Sequence, residues 1–174
     1  MYKRQTLFFN SSDNTNNTSG LSDMNDIWYR NKSNGVWGTP INLREVNTIE
    51  NDVILGLYKN DLIILRNGSI DYYDINNQYK IKKTEKIDGF PPNYNLICGS
   101  INYSQDKLFL SFEGYGTYGV EDIYTSEKNN NVWGRLTNIG SSVNSEYQDI
   151  SPFLYKEDTL VFISNRDEEG YELY

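Results

Sequence analysis

The sequence predicts an all-β protein made of β-propeller blades, each of four antiparallel strands, forming an open arc of about two full and two partial blades. Three observations carry this expectation. The first is a repeated order of parts. Asp26-Ile27-Trp28 leads to Trp37-Gly38 and Ile41-Asn42-Leu43, and Asp122-Ile123-Tyr124 leads to Trp133-Gly134 and Asn138-Ile139-Gly140. The two Trp-Gly pairs stand 96 residues apart, and a weaker copy, Asp71-Tyr72-Tyr73 followed by Tyr79, falls between them. The period of about 48 residues belongs to stacked repeats and propeller blades. The second is composition: aromatics make up 14% of the chain, 15 of them Tyr, and Ala is absent. Aromatic and β-branched side chains suit a half-buried pleated sheet, and helix formers are sparse. The third is the clustering of Asn, Asp, Gly and Ser between short apolar runs, which supplies tight turns.

Taken in order, residues 1–5 stand outside the repeat and read as non-native. Thr6–Ser12 matches Thr159–Asn165, so the repeat is entered on a second strand, and the partial blade spans 6–43. Asn10 to Asn25 is a polar loop that cannot pack a core. Asp26–Asn31 is a strand, Ser33-Asn34-Gly35 a hairpin turn, and Trp37–Leu43 an outer strand whose Pro40 requires an edge position. The next blade, 49–88, uses Asp52–Tyr58, Leu62–Arg66, Ile70–Ile75 and Gln78–Ile87. The blade 95–140 uses Asn95–Tyr103, Lys107–Glu113, Glu121–Glu127 and Val132–Asn138. A last partial blade, 147–174, holds Gln148–Tyr155 and Thr159–Asn165 and reaches Glu172-Leu173-Tyr174, the copy of Asp-Ile-Tyr. About fourteen strands result, each sheet burying both faces against its neighbours. Both termini cut through blades, so the chain reads as a fragment prone to self-association, with Leu7, Phe8 and Phe9 exposed at one end and Phe153, Leu160 and Phe162 at the other.

Ser151-Pro152-Phe153, the turn with Asp158, and Leu160-Val161-Phe162-Ile163-Ser164-Asn165-Arg166 resemble the WD-like repeat of the TolB-type β-propeller family. The signature residues of that resemblance are Asp26, Trp28, Trp37, Gly38, Asp122, Tyr124, Trp133, Gly134, Ser151, Pro152, Phe153, Phe162, Asn165 and Arg166. The Trp-Gly pairs and Val143-Asn144-Ser145 are similar to a subgroup in bacterial envelope proteins, often linked to OmpA-like domains. The resemblance implies a non-catalytic scaffold that binds other proteins, including peptidoglycan-associated ones, in the periplasm or at the outer membrane. A carbohydrate- or peptide-binding module and the accessory propeller of a larger hydrolase are the alternatives.

The chemistry points the same way. With no His, catalytic triads and the common zinc sites are excluded. No cofactor is expected. Gly114-Tyr115-Gly116-Thr117-Tyr118-Gly119 spells a dinucleotide fingerprint but joins two strands, with no helix N-terminus to hold a phosphate. The loop from Asp13 places Thr18 where an EF-hand needs Gly and Met24 where it needs Glu. Asp149, Glu157, Asp158, Asp167, Glu168 and Glu169 fall mostly at turns and read as a solvated face rather than an acid–base pair. Ser33–Trp37 lacks the Asp of a sialidase box. Cys98 reads as a small buried hydrophobe. A net charge of -8 opposes nucleic acid and anionic membrane, and no apolar run spans a bilayer.

Overall fold

The structure, a computed structural model, describes residues 5–91, 96–114, 116–156, 158–167 and 169–174. Tyr115, Glu157, Glu168 and the start of the strand expected from Asn95 lie outside those residues. The described chain forms four antiparallel sheets in the order of the sequence, the blades of a β-propeller. The first blade pairs β1 (Gln5–Ser11) with β2 (Asp26–Ser33), and β2 with β3 (Val36–Trp37) and β4 (Ile41–Asn42). The second is β5 (Val53–Tyr58), β6 (Asp61–Arg66), β7 (Ser69–Asp74) and β8 (Lys80–Lys86). The third is β9 (Leu96–Ile101), β10 (Lys107–Phe112) and β11 (Asp122–Asn129), with β12 (Val132–Trp133) and β13 (Thr137–Asn138) on its outer side. The fourth is β14 (Asp149–Tyr155), β15 (Thr159–Ser164) and β16 (Glu172–Leu173).

Neighbouring blades touch through their inner strands β5, β9 and β14, and β1 and β2 touch β5. Among the described residues no element of the first sheet reaches the fourth, so the blades form an arc. Three apolar clusters fill the junctions. Ile27, Leu62, Ile64 and Tyr73 meet between the first and second blades. Leu55, Ile63, Leu65, Tyr72, Leu108, Leu110, Tyr124 and Trp133 meet between the second and third. Phe109, Ile123 and Phe162 meet between the third and fourth. The alternation of side chains along a strand explains the layout. In β11, Ile123 faces the fourth blade while Tyr124 faces the second; in β7, Tyr72 faces the third blade and Tyr73 the first.

Turn chemistry sets the hairpins. Asn34-Gly35 has φ of 50 and 82°, and Asn67-Gly68 has 46 and 74°, the doubly left-handed turn that matches strand twist. Asn130 and Asn131, at 50 and 63°, make the same turn without glycine.

Several expectations need correction. The outer strands 37–43 and 132–138 each split in two, which raises the count among the described residues to sixteen. The Gly38 N–H bonds the Asn31 carbonyl at 2.9 Å, and the Gly134 N–H bonds that of Glu127 at 3.0 Å, and the chain then leaves the ladder before rejoining it. A Cβ at either glycine would meet that same carbonyl, at 3.4 and 3.3 Å, an ordinary to slightly tight contact. The polar loop does pack: it contains a 3₁₀ turn at Gly20–Ser22, and the buried Asn17 accepts the Trp28 indole N–H at 2.9 Å. Not every sheet buries both faces, because the two end blades keep one face open. Phe8 turns inward towards the second blade, and Leu160 and Phe162 pack on the third, leaving Leu7 and Phe153 exposed. Consecutive residues of a strand cannot share a face.

Candidate functional site

The signature residues of the repeat resolve into a structural clasp, built twice. Asp26 and Asp122 are fully buried at the starts of β2 and β11. Each accepts a side-chain amide N–H from the outer strand, Asn42 to Asp26 at 2.5 Å and Asn138 to Asp122 at 2.6 Å. The loop that follows places Asn47 and Asn144 where each side chain closes a ring with the backbone. Ile27 N–H donates to Asn47 Oδ1 at 2.8 Å and Asn47 Nδ2 returns a bond to the Ile27 carbonyl at 2.9 Å. Asn144 repeats both bonds on Ile123 with the same distances. One step on, Thr48 N–H binds Asp52 and Ser145 N–H binds Asp149, the residues that open β5 and β14. Arg66 and Arg166 then lock the ends. Arg66 pairs with Asp52 and bonds the Val46 carbonyl at 2.7 Å; Arg166 pairs with Asp149 at 2.6 Å and bonds the Val143 carbonyl at 2.6 Å. Burial pushes the Asp52 carboxyl up from its ordinary value. At Asp149 burial is outweighed by Ser164, Ser145 and Arg166, which hold it below. These carboxylates are occupied in holding blade to blade.

The remaining signature residues are also structural. Ser151 has φ of 55°, and its N–H points at Cys98 Sγ, 2.8 Å away. Cys98 is half-buried rather than fully buried and also meets Ser111 Oγ at 3.0 Å. Pro152 is buried, and Asn165 Oδ1 accepts the Gln148 N–H at 2.9 Å. Trp133 is buried at 1% exposure whereas Trp37, at the matching register position, is 40% exposed. The third glycine of the fingerprint-like loop, Gly119, lies against the backbone of Tyr147. Among the described residues no group of His, Cys, Asp or Glu is placed to hold a metal ion, and no helix is long and apolar enough to cross a membrane.

A cavity with a largely apolar lining lies at the hub, where the inner strands turn back. It measures about 470 Å³ and is lined by residues that include Leu55, Tyr58, Ile101, Tyr103, Phe153 and Lys156. Tyr58 and Tyr103, from neighbouring blades, meet edge to face with centroids 4.7 Å apart. Lys59 lies over the Tyr58 ring at 5.1 Å and Lys156 over Tyr155 at 5.2 Å. Tyr103, Phe153 and Tyr155 are each more than half exposed. The site is thus an apolar floor, an aromatic rim and two lysines on a protein of net charge -8.

Sequence reasoning singled out Phe153 but missed the rim. A signal was present: Tyr58–Asp61, Tyr103–Asp106 and Tyr155–Asp158 are three copies of Tyr-x-x-Asp, one at each inner hairpin. Tyr58 and Tyr155 end their inner strands, Tyr103 follows its strand by two residues, and Tyr58 and Tyr103 line the hub cavity. No protein-family model matches the chain, and a search of curated proteins returns no match.

Proposed function

We propose that the chain is a non-catalytic β-propeller scaffold for protein–protein interaction, with the aromatic mouth of the hub as its docking point. The observation that carries this reading is the hub cavity, where the exposed Tyr103 and Phe153 stand with Tyr58 around an apolar floor. Exposed aromatics grouped around a hollow are the usual anchors of a protein interface. The buried aspartates of the clasps support a scaffold over an enzyme, since each is held by structural hydrogen bonds. A setting in the bacterial envelope, periplasmic or at the outer membrane, rests on the resemblance of Ser151–Arg166 and of the Trp-Gly loops to the TolB-type repeat.

The test is selection of displayed peptides on the wild-type chain and on a Tyr103→Ser, Phe153→Ser variant. Both positions are exposed, so the variant keeps its fold. The wild type should enrich peptides with an aromatic anchor, and the variant should lose them. Equal enrichment by both proteins would overturn the hub as the docking point. A glycan array run alongside would reassign the rim to sugar stacking if oligosaccharides bound and peptides did not.

A further inference from the structure

The loop that joins β1 to β2 buries two carboxyls and leaves one oxygen of each without a donor. Asp26 is fully buried and Asp23 is 4% exposed. Oδ2 of Asp26 accepts the Thr18 N–H at 2.8 Å, the Thr18 hydroxyl at 3.0 Å and the Asn42 amide at 2.5 Å. Oδ2 of Asp23 accepts the Ser19 N–H at 2.8 Å. Oδ1 of each is buried and meets no donor. The Asp23 carboxyl nevertheless stands within hydrogen-bonding reach of Asp26. Two buried acceptors in that relation need something positive between them, because unpaired polar atoms are rare inside proteins and like charges repel strongly there.

The other clasp shows a different solution at the same position. Asp122 opens β11 as Asp26 opens β2, and its Oδ1 accepts the Gly119 N–H at 3.4 Å. Asp23 precedes Asp26 by three residues, as Gly119 precedes Asp122. In the first blade, however, the N–H of that residue is turned to the Gly20 carbonyl, at 3.2 Å. A carboxyl therefore stands where the third blade supplies a donor.

We propose that Asp23 carries a proton and donates it to Asp26, and that this acid pair is a pH-released latch on the loop between β1 and β2. A proton fits the gap better than a metal ion. Among the described residues no third His, Cys, Asp or Glu joins the pair, and calcium takes about six to eight oxygens. The nearby Asn17 Oδ1 is already taken by the Trp28 indole. Burial pushes the Asp23 carboxyl up from its ordinary 3.8, the Ser19 N–H pulls it back in part, and the Asp26 charge adds to the rise. From the second blade the charge of Asp52 in turn acts with Asp26, and Asp52 is paired with Arg66, which also bonds Asp71. A raised carboxyl stabilises the fold fully below its unfolded value and loses that contribution as pH rises through its folded value. Once the proton leaves, the repulsion falls on Thr18 and Asn17, which hold Asp26 and the Trp28 indole.

The decisive experiment is a series of urea melts at stepped pH on wild type and Asp23→Asn, whose amide keeps an acceptor for Ser19 and brings an N–H to Asp26. The variant should unfold at higher urea than wild type at neutral pH, and the gap should close as pH falls towards 3.8. Asp122→Asn should do the opposite and unfold at lower urea than wild type at neutral pH, because both oxygens of that carboxylate already accept bonds. The Trp28 indole N–H, followed by NMR, should exchange more slowly in Asp23→Asn than in wild type at neutral pH. An Asp23→Asn protein no more stable than wild type at neutral pH, or a gap that does not change with pH, would overturn the proposal. So would excess calcium chloride that raises the wild-type midpoint and leaves Asp23→Asn unmoved, since a cation would then fill the gap.

Discussion

Trp133 donates its indole N–H to Glu85 at 2.9 Å, across the junction between the second and third blades. The same carboxylate accepts from Lys128 at 2.8 Å, Lys83 at 2.8 Å and the Tyr72 hydroxyl at 3.0 Å. A single glutamate on the largely exposed strand β8 thus binds the outer edges of two blades.

Trp133→Ala should destabilise the protein by about 3–5 kcal/mol, as expected for removing a fully buried indole. Trp37→Ala, at the same register position on an open face, should cost about 0.5 kcal/mol or less at a concentration where the protein is monomeric. Urea melts of the two variants check the contrast, and equal losses would mean that Trp37 is buried in solution.

The Glu85 carboxyl titrates from a well-defined position. Burial pushes it up, but the bonds from Lys128, Lys83 and Trp133 outweigh burial and hold it at about 2, below its ordinary 4.5. A depressed carboxylate stabilises the fold fully above its unfolded value and loses that contribution as pH falls through its folded value. The stability of the wild type should therefore decline between pH 4.5 and about 2. Glu85→Gln should be less stable at neutral pH and show a flatter acid limb over that window, measured by thermal melts at stepped pH.

Asn47→Ala and Asn144→Ala should cost similar amounts, about 1–3 kcal/mol, since each takes the side-chain acceptor from a buried strand N–H while the carbonyl keeps its bond from Leu43 or Ile139. Both side chains serve the donor and the acceptor of one strand residue. Chemical denaturation of both variants checks this. A large loss for one and none for the other would show that the two clasps are not equivalent.

Gly119→Ala should be among the most disruptive single substitutions. A Cβ there would sit 2.6 Å from Tyr147 N and closer still to the Tyr147 carbonyl oxygen, so backbone must move. The expected loss is about 2–4 kcal/mol, in the range of strained or overpacked sites. Gly116→Ala meets no neighbouring atom, but its φ of 83° makes it the milder, conformational case.

The blades were legible because their signals are local: alternating apolar residues, Asn-Gly turns, and a Trp-Gly pair that recurs at the same register position. The exposure of Trp37 was not, because the same letters are buried or open according to which blade lies in front of them. The break in each outer strand was hidden for a related reason, since the three residues off the ladder look no different in sequence from residues on it. The hub rim was spelled three times in Tyr-x-x-Asp, but in a chain with 15 Tyr that pattern stands out only once the hairpin ends are seen to converge.

The clasps occur after the first blade and after the third. Between the second and third blades the described residues join differently, through a backbone bridge of Ile87 with Trp133 and through the bonds to Glu85. Among the described residues the clasp therefore recurs at every second junction. The interval of 96 residues between the two tryptophan–glycine steps is also the spacing from Asp26 to Asp122, so the polar lock and the aromatic step travel together along the chain.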